Sequence, residues 1–158
     1  MALTRNAVAE RADKQFDSEL RSFVYRHMIQ RERAPDLSTI SKALKCRPAK
    51  IKAALSRLSS SHAFMLADDG SFWRAAPFSA IPTAFPVKMG RKLYWGNCIW
   101  DALGIPAMLH KDGVIEAACG CCNLGMTLEV RNGKLKAADG VIHIAVPACK
   151  WYEDVVFT

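Results

Sequence analysis

Two side chains in this sequence have the types and the spacing for concerted chemistry. Cys98 and Asp101 stand three residues apart in a stretch, 97–103, whose composition suits a helix. Positions i and i+3 of a helix share one face about one turn apart, so a thiol and a carboxyl there look into the same space. A thiolate is the nucleophile and soft-metal ligand of proteins, and a carboxyl within reach of it can give or take a proton. A carboxyl that must hold a proton at neutral pH needs shielding from water, and Tyr94, Trp95 and Trp100 are the large neighbours expected to provide it. The plainer alternative is a solvent-facing carboxylate on a half-buried helix.

Four more cysteines lie further along, at Cys119, Cys121, Cys122 and Cys149. Read as Cys119-x-Cys121-Cys122, the cluster lacks the paired Cys-x-x-Cys spacing of a zinc knuckle or of a thioredoxin-type oxidoreductase, and no second pair follows. A tetrahedral zinc site would require the fold to bring Cys149 and His143 round to it. A papain-like hydrolase needs a base beside its thiol, and neither His110 nor His143 stands in a recognisable nucleophile context. Cys46, alone in the first half, reads as a packing residue.

These thiols sit in a chain of 158 residues, 51% hydrophobic and 23% charged, with a formal net charge of +7. Such a chain can bury a real core, and disorder is excluded. No apolar run approaches the roughly 20 residues of a membrane helix, and the opening segment lacks an export-type apolar stretch. A cytoplasmic protein with no membrane partner is expected, and in that compartment cysteines are thiols rather than disulfides.

Charge and sulfur are segregated. Through Arg74 the chain has 14 basic and 8 acidic residues; beyond it, 8 and 7, together with five of the six cysteines. Between the two halves, residues 75–86 contain Pro77, Pro82 and Pro86, which suits an extended connector. The boundary is placed near residue 80, giving a helical domain at 1–80 and a sheet-rich domain at 81–158.

In the first half, Phe16, Leu20, Phe23, Val24, His27 and Met28 follow helical spacing and predict one long amphipathic helix ending before Pro35, with His27 as a core histidine. Asp36 or Ser38 can cap a short second helix carrying Leu37, Ile40 and Leu44. Pro48 is placed to open a third, with Ile51, Ala54, Leu55 and Leu58 buried. Apolar runs at 63–66 and 71–74 flank a Asp-Asp-Gly turn and predict a hairpin. Three helices and a hairpin in this order read as a winged helix-turn-helix. In a DNA-binding version, Lys50 and Arg57 would share the exposed face of the third helix, with Arg47 and Lys52 nearby. An ordinary solvated basic face is the alternative.

In the second half, Lys92–Trp95 reads as a strand entering the helix of Cys98 and Asp101, which Gly104 and Pro106 are expected to end. Strands are predicted at 114–118, at 126–130 paired with 134–138 about Asn132-Gly133, and at 141–146, the last as a central strand. The fold class is α+β: a winged-helix-like helical domain followed by a small mixed or antiparallel sheet with one active-site helix.

The run LYWGNCIWDALGIPA at 93–107 resembles the active-site segment of the alkylmercury (organomercurial) lyases. The similarity continues through Cys119, where that family often has a further, structural cysteine, through 141–147, and through 151–158. The resemblance implies a helical N-terminal domain not known for binding DNA. It also implies cleavage of the carbon–mercury bond of organomercury compounds by protonolysis, giving a hydrocarbon and Hg(II). Cys98 would be the mercury-binding thiolate and Asp101 the proton relay, both ligating the metal. No cofactor would be needed, and the Hg(II) would pass to cellular thiols or to a mercuric reductase, as in mercury detoxification and resistance.

In the family a second catalytic cysteine follows the segment matching 155–158, where this sequence ends. The 81–158 domain is accordingly read as truncated at its C-terminus, with Cys149, Cys121 and Cys122 as candidate substitute thiols. Mercury binding through Cys98 with impaired turnover is the expectation. The competing expectation is a winged-helix DNA-binding regulator whose thiol-rich half senses soft metals.

Overall fold

A computed structural model of the chain describes residues 5–136, 140–144 and 146–153. Three helices come first: α1 (Arg5–Arg31), α2 (Leu37–Leu44) and α3 (Pro48–Ser60). The apolar stripe of α1 buries Phe16, Leu20, Val24 and Met28, while His27 is half-buried and tilted against Phe23. Asp36 caps α2, its carboxylate accepting the Thr39 N–H at 2.7 Å. Pro48 opens α3, whose buried residues are Ile51, Ala54, Leu55 and Leu58.

A three-stranded antiparallel sheet follows, in the order β1 (Met65–Leu66), β2 (Phe72–Ala75) and β3 (Phe78–Ser79). Strand β3 lies inside the stretch read from sequence as a bare connector. Its two residues, Phe78 and Ser79, are both buried, so the prolines flank a core strand instead of spacing two separate bodies. Phe78 packs on Tyr25 of α1 and on Tyr94 further along.

The second sheet is antiparallel throughout, in the order β5 (Lys92–Trp95), β4 (Pro86–Met89), β6 (Gly113–Ala118), β7 (Gly125–Arg131) and β8 (Lys134–Leu135). Helix α4 (Ile99–Leu109) packs on it between β5 and β6. The two sheets share one hydrophobic core running from Phe16 to Val130. The Tyr94 hydroxyl donates to the Ile29 carbonyl at 2.7 Å, and the Lys92 ammonium donates to the same carbonyl, so β5 is pinned to α1.

Three expectations are corrected. Helix α4 is not ended by Gly104 and Pro106 but runs on to Leu109, with His110 left-handed at φ 50° as its cap. Proline normally disrupts a helix interior, but Pro106 is buried with Ala102 and Ile105, and this packing outweighs the lost backbone bond. Gly113 makes room for it, since a Cβ there would lie 2.7 Å from the Pro106 ring.

The central strand expected at 141–146 is not formed at 141–144 or at Val146, and residue 145 lies outside the described residues. Val141 is 93% exposed and Ile142 and Ile144 are also exposed. Their apolar run serves to wall a cavity, which makes no demand for sheet pairing. Nor does Arg57 lie on an open face beside Lys50: Arg57 is half-buried, while Lys50 is exposed. The Arg57 guanidinium makes two hydrogen bonds to Asp17 of α1, at 2.6 and 2.8 Å, and the Lys50 ammonium sits over the Phe16 ring at 4.1 Å. Arg57 is thus held in charge-assisted bonds to an α1 carboxylate, and Lys50 keeps its charge over an aromatic face of α1.

Candidate active site

The chain reaches Cys98 through a tightly held turn. Gly96 donates its N–H to the Phe85 carbonyl at 3.0 Å and accepts at its own carbonyl from the Thr83 hydroxyl at 2.7 Å, and it bridges to Phe78. No side chain fits there: a Cβ on Gly96 would lie 2.7 Å from the Ala102 nitrogen and 2.9 Å from its Cβ. The strand end and the first turn of α4 are therefore in backbone contact, which fixes where Cys98 emerges.

Cys98 is the N-cap of α4, not a residue of its first turn, and Asp101 lies within that turn. The spacing is that of a capping box. The N–H groups of Trp100 and Asp101 lie toward the sulfur and favour its thiolate, although the side chain makes no formed cap hydrogen bond. Burial nevertheless wins and pushes the Cys98 thiol up from its ordinary value, with the Asp101 charge adding to the rise and Arg74 opposing it.

Asp101 is half-buried, and burial raises its carboxyl above the usual range. Two groups oppose that rise: Asn97, whose Nδ2 donates to Asp101 Oδ2 at 2.9 Å, and the positive charge of Arg74. The Asn97 Oδ1 is buried with no hydrogen-bond partner. The shielding does not come from all the neighbours expected. Trp100 is 62% exposed, and the Tyr94 hydroxyl turns to α1.

Cys98, Asp101 and Asn97 open into a cavity of about 350 Å³. Its floor includes Arg74 of β2 and Phe64, and its far wall is the segment of Ile142, His143 and Ile144 together with Trp151 and Tyr152. That segment is held by one bond within itself and one stack to the rest of the chain. The Trp151 indole donates to the Val146 carbonyl at 2.8 Å, and the Tyr152 ring stacks on His62 at 4.0 Å and 17°. The lining is mostly apolar with a few convergent polar groups, the usual make-up of a small-molecule site. A larger depression of about 920 Å³ between α2, α3 and the β1–β2 hairpin holds no thiol.

The candidate substitute thiols are not brought to Cys98. Among the described residues that line the cavity, Cys98 is the one cysteine. Cys121 and Cys122 are exposed on the turn between β6 and β7, and Cys149 is exposed on a 3₁₀ turn at Ala148–Lys150. No group of three or more His, Cys, Asp or Glu among the described residues is arranged to hold a metal ion. No helix among them is long and apolar enough to cross a membrane.

The family model for alkylmercury lyase (MerB) matches residues 78–158. The chain belongs to the alkylmercury lyase family. Among solved structures it is similar to the mercury-bound form of MerB2, with a TM-score of 0.61 and 20% identity over 79% of this chain and 66% of that one. That likeness shows a shared α+β fold, and the chain spans just under two thirds of the length of that relative. Comparison with curated proteins gave no match.

Asn97, Arg74, His62, Trp151 and Tyr152 are the cavity residues that sequence reasoning passed over. For Asn97 a signal existed, because positions 97 and 101 are four apart and side chains at that spacing meet across a helical turn. The others come from distant parts of the chain, and nothing local marks them. A spacing within the thiol cluster was also missed: Cys119 and Cys122 form a Cys-x-x-Cys pair, hidden by Cys121 between them.

Proposed function

We propose that this chain cleaves carbon–mercury bonds, with Cys98 as the mercury-binding thiolate and Asp101 as the proton relay. The observation that carries the reading is the convergence of one half-buried thiol and one half-buried carboxyl, its proton affinity raised, in a mostly apolar cavity. Mercury is the softest of common divalent metals, and thiolate is its matching protein ligand.

The electron and proton count closes on these two residues. Cys98 displaces its proton as sulfur bonds to the organomercury cation, and the Asp101 carboxylate takes that proton. The carboxylic acid then delivers it to carbon. The carbon–mercury bond breaks as the carbon–hydrogen bond forms, and Hg(II) is left on Cys98 sulfur beside the Asp101 carboxylate. Burial of Asp101 supports this order of events, since it favours holding the proton between the two steps. The apolar walls accept the organic group on mercury. No organic cofactor enters the scheme.

Residues 81–158 carry the chemistry, and the winged-helix-like 1–80 half serves as scaffold, contributing Arg74 and His62 to the cavity. Because Lys50 and Arg57 are engaged by α1, we read that half as a support and not as a DNA reader. With one sulfur among the described residues of the cavity, we read Hg(II) as taking its second thiol from solution, so turnover is slower than in relatives that supply two, and hand-off goes to cellular thiols or to a mercuric reductase in the cytoplasm.

Incubation with phenylmercuric acetate and excess thiol, following benzene by gas chromatography, tests the reading. Benzene release that depends on Cys98 and rises with added thiol is expected. Release that survives Cys98→Ser unchanged overturns it.

A further inference from the structure

The turn between β6 and β7 carries three thiols within four residues, Cys119, Cys121 and Cys122, and none of them lines the cavity. The turn is closed by two backbone bonds: Cys119 donates to the Leu124 carbonyl at 2.8 Å, and Asn123 donates to the Cys119 carbonyl at the same distance. Within it the Cys119 sulfur accepts from the Cys122 thiol and from the backbone N–H groups of Cys121 and Cys122. Because the Cys119 carbonyl is met by the N–H four residues on, the turn is one helical-type turn, and the side chains of Cys119 and Cys122, three apart, share one side of it, while Cys121 contributes its backbone. Both Cys121 and Cys122 are open to solvent.

The register of the sheet says where this turn stands. Tyr94 of β5 pairs with Val87 of β4, which pairs with Ile115 of β6. Strands β5 and β6 are both antiparallel to β4 and so run the same way, two positions apart, with their axes about 10 Å from one another. Counting along both from that row, Cys98 and Cys119 are each four residues on. The thiol that leaves β5 for the cavity and the thiol pair that leaves β6 for solvent emerge at the same end of the same sheet.

We propose that Cys119 and Cys122 form a second, solvent-facing site for a two-coordinate soft cation, and that it receives Hg(II) from the cavity. Two thiols three apart on one turn suit linear coordination, which needs no third ligand, and among the described residues no larger ligand group surrounds them. Binding forms two sulfur–mercury bonds and releases the protons of both thiols to solvent, with no change of oxidation state. Cys121 is spare: its N–H, not its sulfur, supports the pair. That the cation is mercury rests on the function proposed above; the existence of the thiol site does not.

The test uses the full-length, fully reduced chain carrying Cys98→Ser, titrated with mercuric chloride against excess glutathione. Retained metal is measured after desalting, together with sulfur-to-mercury charge-transfer absorption. One tightly held Hg(II) per chain is expected. Adding Cys122→Ser, at an exposed position that cannot unfold the protein, lowers the apparent affinity by about 10²-fold or more, the scale of losing a linked second ligand. Adding Cys121→Ser keeps the backbone N–H and leaves affinity unchanged. Retention that is indifferent to Cys122, or no retention against glutathione, overturns the site. Because Cys98 is absent from this assay, its result stands apart from that of the benzene-release experiment on the unmodified chain.

Discussion

Asn97 is bonded to Asp101 on one side of its amide only: Nδ2 donates to the carboxylate at 2.9 Å, while Oδ1 is buried without a partner. The bond stabilises the charged form of Asp101 against the burial that favours the neutral one. In Asn97→Ala the Asp101 carboxyl should therefore rise further. The protonated carboxyl stretch in infrared difference spectra, followed with pH and blanked with Asp101→Asn, reads this directly. A midpoint that stays or falls removes Asn97 from the control of that proton. Since the deleted amide also takes away an unpaired acceptor, the stability cost should stay below about 1 kcal/mol.

Replacing Asp101 by Asn should lower the rate of carbon–mercury cleavage by roughly 10² to 10⁴, the usual worth of a positioned proton donor, while mercury uptake by Cys98 continues. The same variant carries a thermodynamic signature. A carboxyl raised by folding binds more protons in the native state than in the unfolded one, so the native chain loses stability as pH rises from the ordinary carboxylate range through the raised value. Asp101→Asn removes that loss. Its melting temperature should exceed the parent's at pH 7, with the gap closing in acid. An equal gap at both pH values contradicts the burial argument.

The Cys98 thiol should titrate above an ordinary cysteine, because burial and the Asp101 charge both oppose the thiolate. Alkylation of Cys98 by iodoacetamide across pH, quantified by mass spectrometry of its peptide, gives the inflection. Asp101→Asn should move it down and Arg74→Gln up. Movement of both in the same direction would show that charge is not what sets it.

Gly96 and Gly104 offer a matched pair. Gly96→Ala places a methyl 2.7 Å from the Ala102 backbone, and overpacking of this kind costs about 1 to 3 kcal/mol. It also displaces Cys98, two residues on. Gly104 lies within α4 with nothing within 4 Å of an added Cβ, so Gly104→Ala should stabilise by roughly 0.5 to 1 kcal/mol from helix propensity. Thermal melts of the two variants check both signs, and a destabilised Gly104→Ala would refute the reading of α4.

Local chemistry explains why some of this fold is legible in the sequence. The buried positions of α1, α2 and α3 follow the apolar spacing, the capping role of Asp36 follows from its side chain, and the β7–β8 hairpin follows from Asn132-Gly133, both at positive φ. Where tertiary packing competes with a local signal, the signal fails. Pro106 should stop a helix and does not, because its ring is buried against Gly113. The apolar run at 141–144 has the composition of a strand, but composition cannot tell a strand from a cavity wall.

The site divides the same way. Cys98 and Asp101 announce themselves by type and spacing, and Asn97 could have. The stacking of His62 on Tyr152 joins residues 90 positions apart, and no periodicity encodes such a meeting. The partner of Arg57 is hidden for a related reason, since Asp17 lies 40 positions away.

That His62–Tyr152 stack has a consequence for how the protein can be taken apart or recombined. The family match begins at Phe78, yet Arg74 and the ring of His62 precede it and border the cavity. Grafting residues 78–158 onto another scaffold would transplant Cys98 and Asp101 without the Arg74 side of their cavity or the His62 partner of Tyr152. The unit that inheritance would have to keep intact is larger than the segment that carries the recognisable signature.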